Sequence, residues 1–421
     1  MRQIIDLHIH SKYARATSKF FDLAEMVKWS EIKGVDIISC ADFTHPAWFA
    51  QLEKNLIEDN SSGLYRLKDS NSAVRFIIST EVSCIYRQGD KTRRLHLCIL
   101  MPNLTSAGKF NQALAARGAK LASDGRPILG MSAKEVLQIM LETDKRAMMI
   151  PAHVWTPWFA VFGSKSGFES LEECFEELTP HIKAIETGLS SDPLMNWRLK
   201  ELDNITLVSN SDAHSGPQIG REANVMDLSE KTYQEIVDII ATKNRTKFLY
   251  TIEFYPEEGM YHADGHKDCG FSCLPEASQK LKGLCPKCKK PLTIGVLAQV
   301  EKLATLKDNE VDKNQHIPYK SIVPLPSIIS DYLGVGRNSQ RVQKLFLDII
   351  VSAGNEFKVL LDLSAEELIK IMPAVLADGI IRMRQNKIKL IPGYDGQYGQ
   401  VEIFSKKERQ VARDNQQTKL F

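Results

Sequence analysis

The chain has 421 residues, 43% hydrophobic and 25% charged, with a formal net charge of +2 at pH 7. That length exceeds one ordinary core, so two or three domains are expected, and the composition is that of a globular protein. No apolar run reaches the roughly eighteen residues that a membrane helix needs, and a charge this close to zero neither demands nor excludes a nucleic-acid partner.

The first residues enter a strand pattern at once, with no signal-peptide layout, so a cytoplasmic location is expected. Residues 3–6, 35–40, 75–79, 95–100, 147–150, 182–185 and 206–208 read as strands. Helical patterns lie between them: one over 22–33 ends at Gly34, and another begins at Ser132, where Glu135 completes a capping box. About seven β-α alternations without a phosphate-loop glycine pattern favour a barrel of parallel strands over an open doubly wound sheet. Residues 256–300 are rich in Cys, Gly, His and Pro and read as a metal-stapled module. Residues 301–404 are mainly helical, with 339–351 and 364–376 the clearest pieces, and 405–421 form a polar, flexible tail.

Eight cysteines in a reducing compartment do not suggest a disulfide framework. Cys40, Cys84, Cys98 and Cys174 lie in apolar segments and read as small buried hydrophobes. Cys269-x3-Cys273 and Cys285-x2-Cys288 have the paired spacing of a four-cysteine structural zinc site. His262 and His266 precede the first pair as substitute ligands, DNA contacts or solvated side chains.

Histidines and acids of the first half fall at strand ends. His8 and His10 follow the first strand, Asp42 the second, Glu81 the third and His153 the fifth. Glu186 closes the sixth, Asp212 and His214 follow the seventh, and His96 lies inside the fourth. Carboxyl ends of barrel strands are where sites are built, and imidazole with carboxylate suits divalent transition metals. One such residue alone would be an ordinary polar side chain; eight at matching strand ends, with His96 beside them, form a candidate metal centre.

Asp-Leu-His-Ile-His (6–10), Asp42, Thr80-Glu81, Pro-Ala-His (151–153) and Ser-Asp-Ala-His (211–214) resemble, in order, the motifs of the polymerase-and-histidinol-phosphatase (PHP) family. The resemblance covers about 250 residues. It implies a distorted seven-stranded (β/α)7 TIM-like barrel holding two or three divalent ions (Zn, Mn or Mg) that activate water for attack on a phosphate ester. Many members carry Asp-His in the second motif, where this chain has Asp42-Phe43-Thr44-His45, which leaves either residue or neither at a third metal position. Arg15 would hold a phosphate there. Asp192 either orients the attacking water or acts as a base, or else caps a helix ahead of Pro193.

The segments 16–19, 42–46, 186–193 and 393–399, together with the cysteine module, resemble the endonuclease Q family over nearly the whole chain. That resemblance implies a DNA repair nuclease that nicks 5′ of uracil, hypoxanthine or abasic sites in single- or double-stranded DNA. A PHP-type phosphatase acting on a small phosphate ester is the rival. Trp48, Trp155, Trp158 and Phe159 would stack on a flipped base or else pack in the core, and Lys19 and Lys165 would meet phosphates. The terminal Gln417-Thr-Lys-Leu420-Phe421 resembles the peptide that docks on the bacterial sliding clamp. A monomer working at the nucleoid is expected.

Overall fold

The computed structural model describes residues 1–410. In chain order its strands begin with β1 (Arg2–Asp6), β2 (Ile37–Ser39), β3 (Leu56–Glu58) and β4 (Leu64–Leu67). The long pair β5 (Arg75–Gln88) and β6 (Lys91–Met101) follows, then β7 (Ile128–Leu129) and β8 (Met148–Pro151). After β9 (Ala184–Glu186) and β10 (Thr206–Val208) come β11 (Ala223–Asp227) and β12 (Phe248–Glu253).

All seven strands read from the sequence are present. β1–β2, β2–β5 and β9–β10 pair in parallel, but β5–β6 and β6–β8 are antiparallel. The expectation of wholly parallel strands is therefore corrected at β6. Its cause is local: Gln88 pairs with Lys91 across Gly89-Asp90, and Gly89 has φ +58°, so two residues reverse the chain as a tight hairpin. β8 packs beside β9, and a bridge from Ile9 to Ala213 links the segments that follow β1 and β10. The architecture is a mixed α/β sheet with helices outside it.

Local signals explain the helices. Asp22 accepts from Glu25 N to start Leu23–Lys33, and Gly34 at φ +86° ends it. Ser132 and Glu135 form the predicted capping box at the head of Ala133–Thr143. The helix predicted over 364–376 is instead two, Ala365–Ile371 and Ala374–Arg384. Pro373 has no N–H to give, and it forces Met372 into extended backbone.

The C-terminal region is stitched to the sheet. After the small hairpin β13 (Asp264–His266) and β14 (Phe271–Cys273), β15 (Tyr319–Ser321) joins the edge of β12 in parallel. Lys33 and Glu356 form a buried ion pair at 2.6 Å between the helix Leu23–Lys33 and the helical region. Among the described residues no helix is long and apolar enough to cross a membrane.

Candidate metal centre

β1 delivers His8 and His10 two residues apart, with their rings edge to face at 5.4 Å. Glu81 stands opposite Cys98, and Ser83 opposite His96, in the β5–β6 ladder, so Glu81, His96 and Cys98 share one face. His153 and Asp212 follow β8 and β10. Asp42, His153 and Asp212 hold φ values of 34°, 31° and 47°. Left-handed backbone at non-glycine residues costs about 1–3 kcal/mol each and clusters at functional sites.

Two groups of ligand atoms meet at Glu81. Oε2 lies 3.2 Å from His10 Nε2 and 3.5 Å from His8 Nε2, and Asp212 Oδ1 lies 3.1 Å from His10 Nε2. Oε1 lies 2.9 Å from His96 Nδ1 and 3.2 Å from His153 Nε2. Two ligands held about 2.1 Å from a tetrahedral ion stand about 3.4 Å apart, so these spacings fit the edges of coordination polyhedra. His8 Nε2, His10 Nε2 and Asp212 Oδ1 are buried without hydrogen-bond partners. Buried orphans of this kind demand an explanation, and a cation among them supplies one. The residues fit divalent metal: His8, His10, Glu81 and Asp212 would form one ligand group, and Glu81, His96 and His153 another.

Asp42 and Glu186 hold the imidazoles of His10 and His8 in place; Asp42 lies in none of the ligand groups, whereas Glu186 shares one with His8 and Cys98. Asp42 accepts from His10 Nδ1 at 3.0 Å and from Ser11 N at 2.6 Å. Glu186 accepts from His8 Nδ1 (3.0 Å), His153 N (2.9 Å) and Asn210 Nδ2 (2.8 Å), with Cys98 closing the third small group beside His8. Each leaves Nε2 of its histidine for metal, the usual role of an outer carboxylate. His214 gives Nδ1 to the Asp212 carbonyl, and its ring lies 4.5 Å from that of His10, so it borders the cluster. His45 stacks on Tyr13 at 4.4 Å and joins no group.

The electrostatics agree. Burial would raise the Glu81 carboxyl, but His96, Arg126 and His8 hold it well below the usual range. Burial disfavours charge on His8, yet Cys98, Glu186 and Glu81 push its pKa well above the ordinary value. Without a cation the acids are balanced by imidazolium; a bound cation would displace those protons.

Sequence reasoning missed Arg126. Its Nη1 donates to Glu81 Oε2 at 2.9 Å. The signal was the preceding glycine: a Cβ on Gly125 would meet Asp42 Oδ2 at 2.4 Å and Ala14 N at 2.8 Å. Arg15, by contrast, is exposed and pairs with Asp124 at 3.1 Å. Asp192 caps the short helix Pro193–Trp197 through Met195 N at 2.9 Å and lies in none of the ligand groups. Burial raises its pKa to about 6.

The aromatic expectations divide. Trp48 is buried, donating to the Cys40 and Ala41 carbonyls, and Trp155 is buried, donating to Asn196 Oδ1 at 2.7 Å. Both are core residues, and their reading as base contacts is withdrawn. Trp158 is 40% exposed and touches Tyr261 edge-on. Phe159 is half-buried with its ring 4.6 Å from that of His96. Lys19 and the unforeseen Phe20, 83% exposed, sit on a loop pinned to the centre by Ser18 N donating to the His214 carbonyl.

The cysteine module gathers His266, Cys269, Cys285 and Cys288, with ligand atoms within 4.8 Å of one another. Cys273 is replaced by His266. His266 pairs with Phe271 but Cys273 with Asp264, which puts Cys273 two residues, about 6.8 Å, further down the ladder. The result is His-x2-Cys and Cys-x2-Cys, a four-coordinate set suited to zinc. Gln417, Leu420 and Phe421 lie outside the described residues.

Residues 324–387 match the family described as the MJ0043 C-terminal domain. The uncharacterised MJ0043 of Methanocaldococcus jannaschii is 32% identical over 59% of this chain, and the match spans only 31% of that relative. YqxK of Bacillus subtilis is 26% identical, covering 94% of this chain and 98% of its own. Among solved structures, the lesion-specific endonuclease PfuEndoQ of Pyrococcus furiosus matches at TM-score 0.84 and 26% identity, over 98% of this chain and 99% of that one. Endonuclease Q bound to a 27-mer duplex with an abasic lesion at its active site matches at 0.83 and 28%, over 97% and 98%. Over nearly its whole length, then, this chain resembles endonuclease Q.

Proposed function

We propose that this protein is a metal-dependent DNA repair endonuclease that nicks the strand 5′ of an abasic site or a deaminated base such as uracil or hypoxanthine. The observation that carries the reading is the pair of ligand groups sharing Glu81, with three buried ligand atoms left without partners. It is supported by the endonuclease Q likeness, one of whose structures holds an abasic duplex. Divalent cations held there would supply a hydroxide nucleophile near neutral pH and stabilise charge on the phosphoryl oxygens.

The chain's own residues do the positioning. Asp42 and Glu186 fix His10 and His8, while Glu81 ties the two groups together. Arg126, at the rim, retains N–H groups for a phosphate oxygen. Trp158 stands ready to stack on an unpaired base. The Cys-His module takes one structural zinc, and the 417–421 peptide docks on a sliding clamp.

The test is to incubate purified protein and manganese with duplex DNA carrying one deoxyuridine, deoxyinosine or abasic site. Nicking at the lesion, lost in Asp212→Ala, is expected. Hydrolysis of a simple phosphomonoester with every DNA left intact would overturn the reading.

A further inference from the structure

Beside the metal centre lies a cavity of about 340 Å³ between β6 and the loop that follows His153. Lys91, Arg94 and Lys165 line it, all exposed, and none has an ion pair among the described residues. The neighbouring charges are already matched: Arg93 pairs with Glu173 at 2.6 Å, and Glu169 pairs with Lys302 at 2.5 Å. Lys91, three residues from Arg94 on β6, also lies within electrostatic reach of Glu169, but the cavity it lines with Arg94 and Lys165 keeps an excess of cations that an anion relieves.

The groove is built from the elements that carry metal ligands. Arg94 lies two residues from His96 on the same face of β6, about 6.8 Å away along the strand. The opposite wall is fastened at several points. His96 N donates to the Phe159 carbonyl (3.1 Å), Arg94 N to the Ser166 carbonyl (3.3 Å) and Lys165 N to the Pro157 carbonyl (2.9 Å). Thr156 Oγ1 lies 3.2 Å from His153 Nδ1 and donates to the Trp158 carbonyl at 2.9 Å. Trp158, 40% exposed, closes one side.

We infer that this groove carries the DNA backbone away from the cleavage point, its three cations meeting successive phosphates while the Trp158 ring faces a base. The inference rests on the nuclease reading above and names a surface that the reading does not require. Phosphate contacts set affinity and register without reading sequence, which suits an enzyme directed to lesions in any context.

The test is a salt titration of binding to a labelled duplex with a single abasic site, without added divalent cation. Each phosphate contact contributes about 0.9 to the slope of log affinity against log salt. The variant K91Q/R94Q/K165Q is expected to flatten that slope by about 2–3, and K91R/R94K/K165R to restore it, with unchanged melting temperatures. A slope unaltered in the glutamine variant, with lesion nicking intact, overturns the groove and leaves the nuclease reading standing. Wild-type protein that neither binds nor nicks the duplex overturns both.

Discussion

Asp42 Oδ1 accepts a hydrogen bond from His10 Nδ1 at 3.0 Å, and that contact turns His10 Nε2 toward Glu81 and Asp212. The carboxylate sets the tautomer as well as the ring angle. Asp42→Asn keeps the shape but loses the charge that favours the required proton position. Metal affinity is expected to fall about 10–100-fold, the usual cost of losing an outer partner, as read by manganese calorimetry. Unchanged affinity would mean that Asp42 has no part in holding His10.

The zinc module gives a sharper contrast. His266→Ala should lose its zinc, measured as metal released per chain by a colorimetric chelator, while Cys273→Ser should keep it. The opposite pattern would restore the four-cysteine set.

Two tryptophans that look alike in sequence should behave differently. Trp48 is buried with its indole N–H satisfied, so Trp48→Ala should cost about 3–5 kcal/mol of stability in chemical denaturation. Trp158→Ala should leave stability nearly unchanged and weaken DNA binding by about 1–3 kcal/mol, the worth of one base stacked on an aromatic ring.

A buried acid pair predicts a pH dependence. Burial raises the Glu253 carboxyl to about 8, with Glu222 alongside also raised well above its usual value, and Thr187 and Thr251 hydroxyls donate to Glu253. The folded state therefore binds more protons than the unfolded one above the ordinary carboxylate pKa of about 4.3. Stability is fully present below that value and is lost as pH rises through about 8. Melting temperature should fall between about pH 5 and pH 8, and less steeply in Glu253→Gln. Equal slopes would show that the carboxyl does not titrate there.

Much of the candidate centre was legible because strand ends in an α/β sheet bring distant residues together, and His8, His10, His153 and Asp212 follow such ends, while Glu81 lies inside β5, which runs on past the strand read from the sequence. What was lost is what spacing cannot encode. Asp42 differs from a ligand only in where its oxygens point, toward His10 Nδ1 and Ser11 N. Arg126 comes from a loop that only the absence of a Cβ at Gly125 lets pass. His266 displaced Cys273 because the hairpin register is fixed by the turn at Gly270, whose φ is +55°. The reversed β6 likewise follows from one two-residue turn. Aromatic burial was least readable, since Trp155 and Trp158 are three residues apart on one loop and face opposite environments.

The most direct measurement is metal content and lesion nicking together in wild type and Glu81→Gln, since among the described residues Glu81 alone belongs to both of these ligand groups. The account predicts more than one divalent ion per wild-type chain beyond the module's zinc, and the loss of those ions and of nicking in the variant. A variant that keeps its full complement of ions and its nicking would contradict a shared centre built on Glu81.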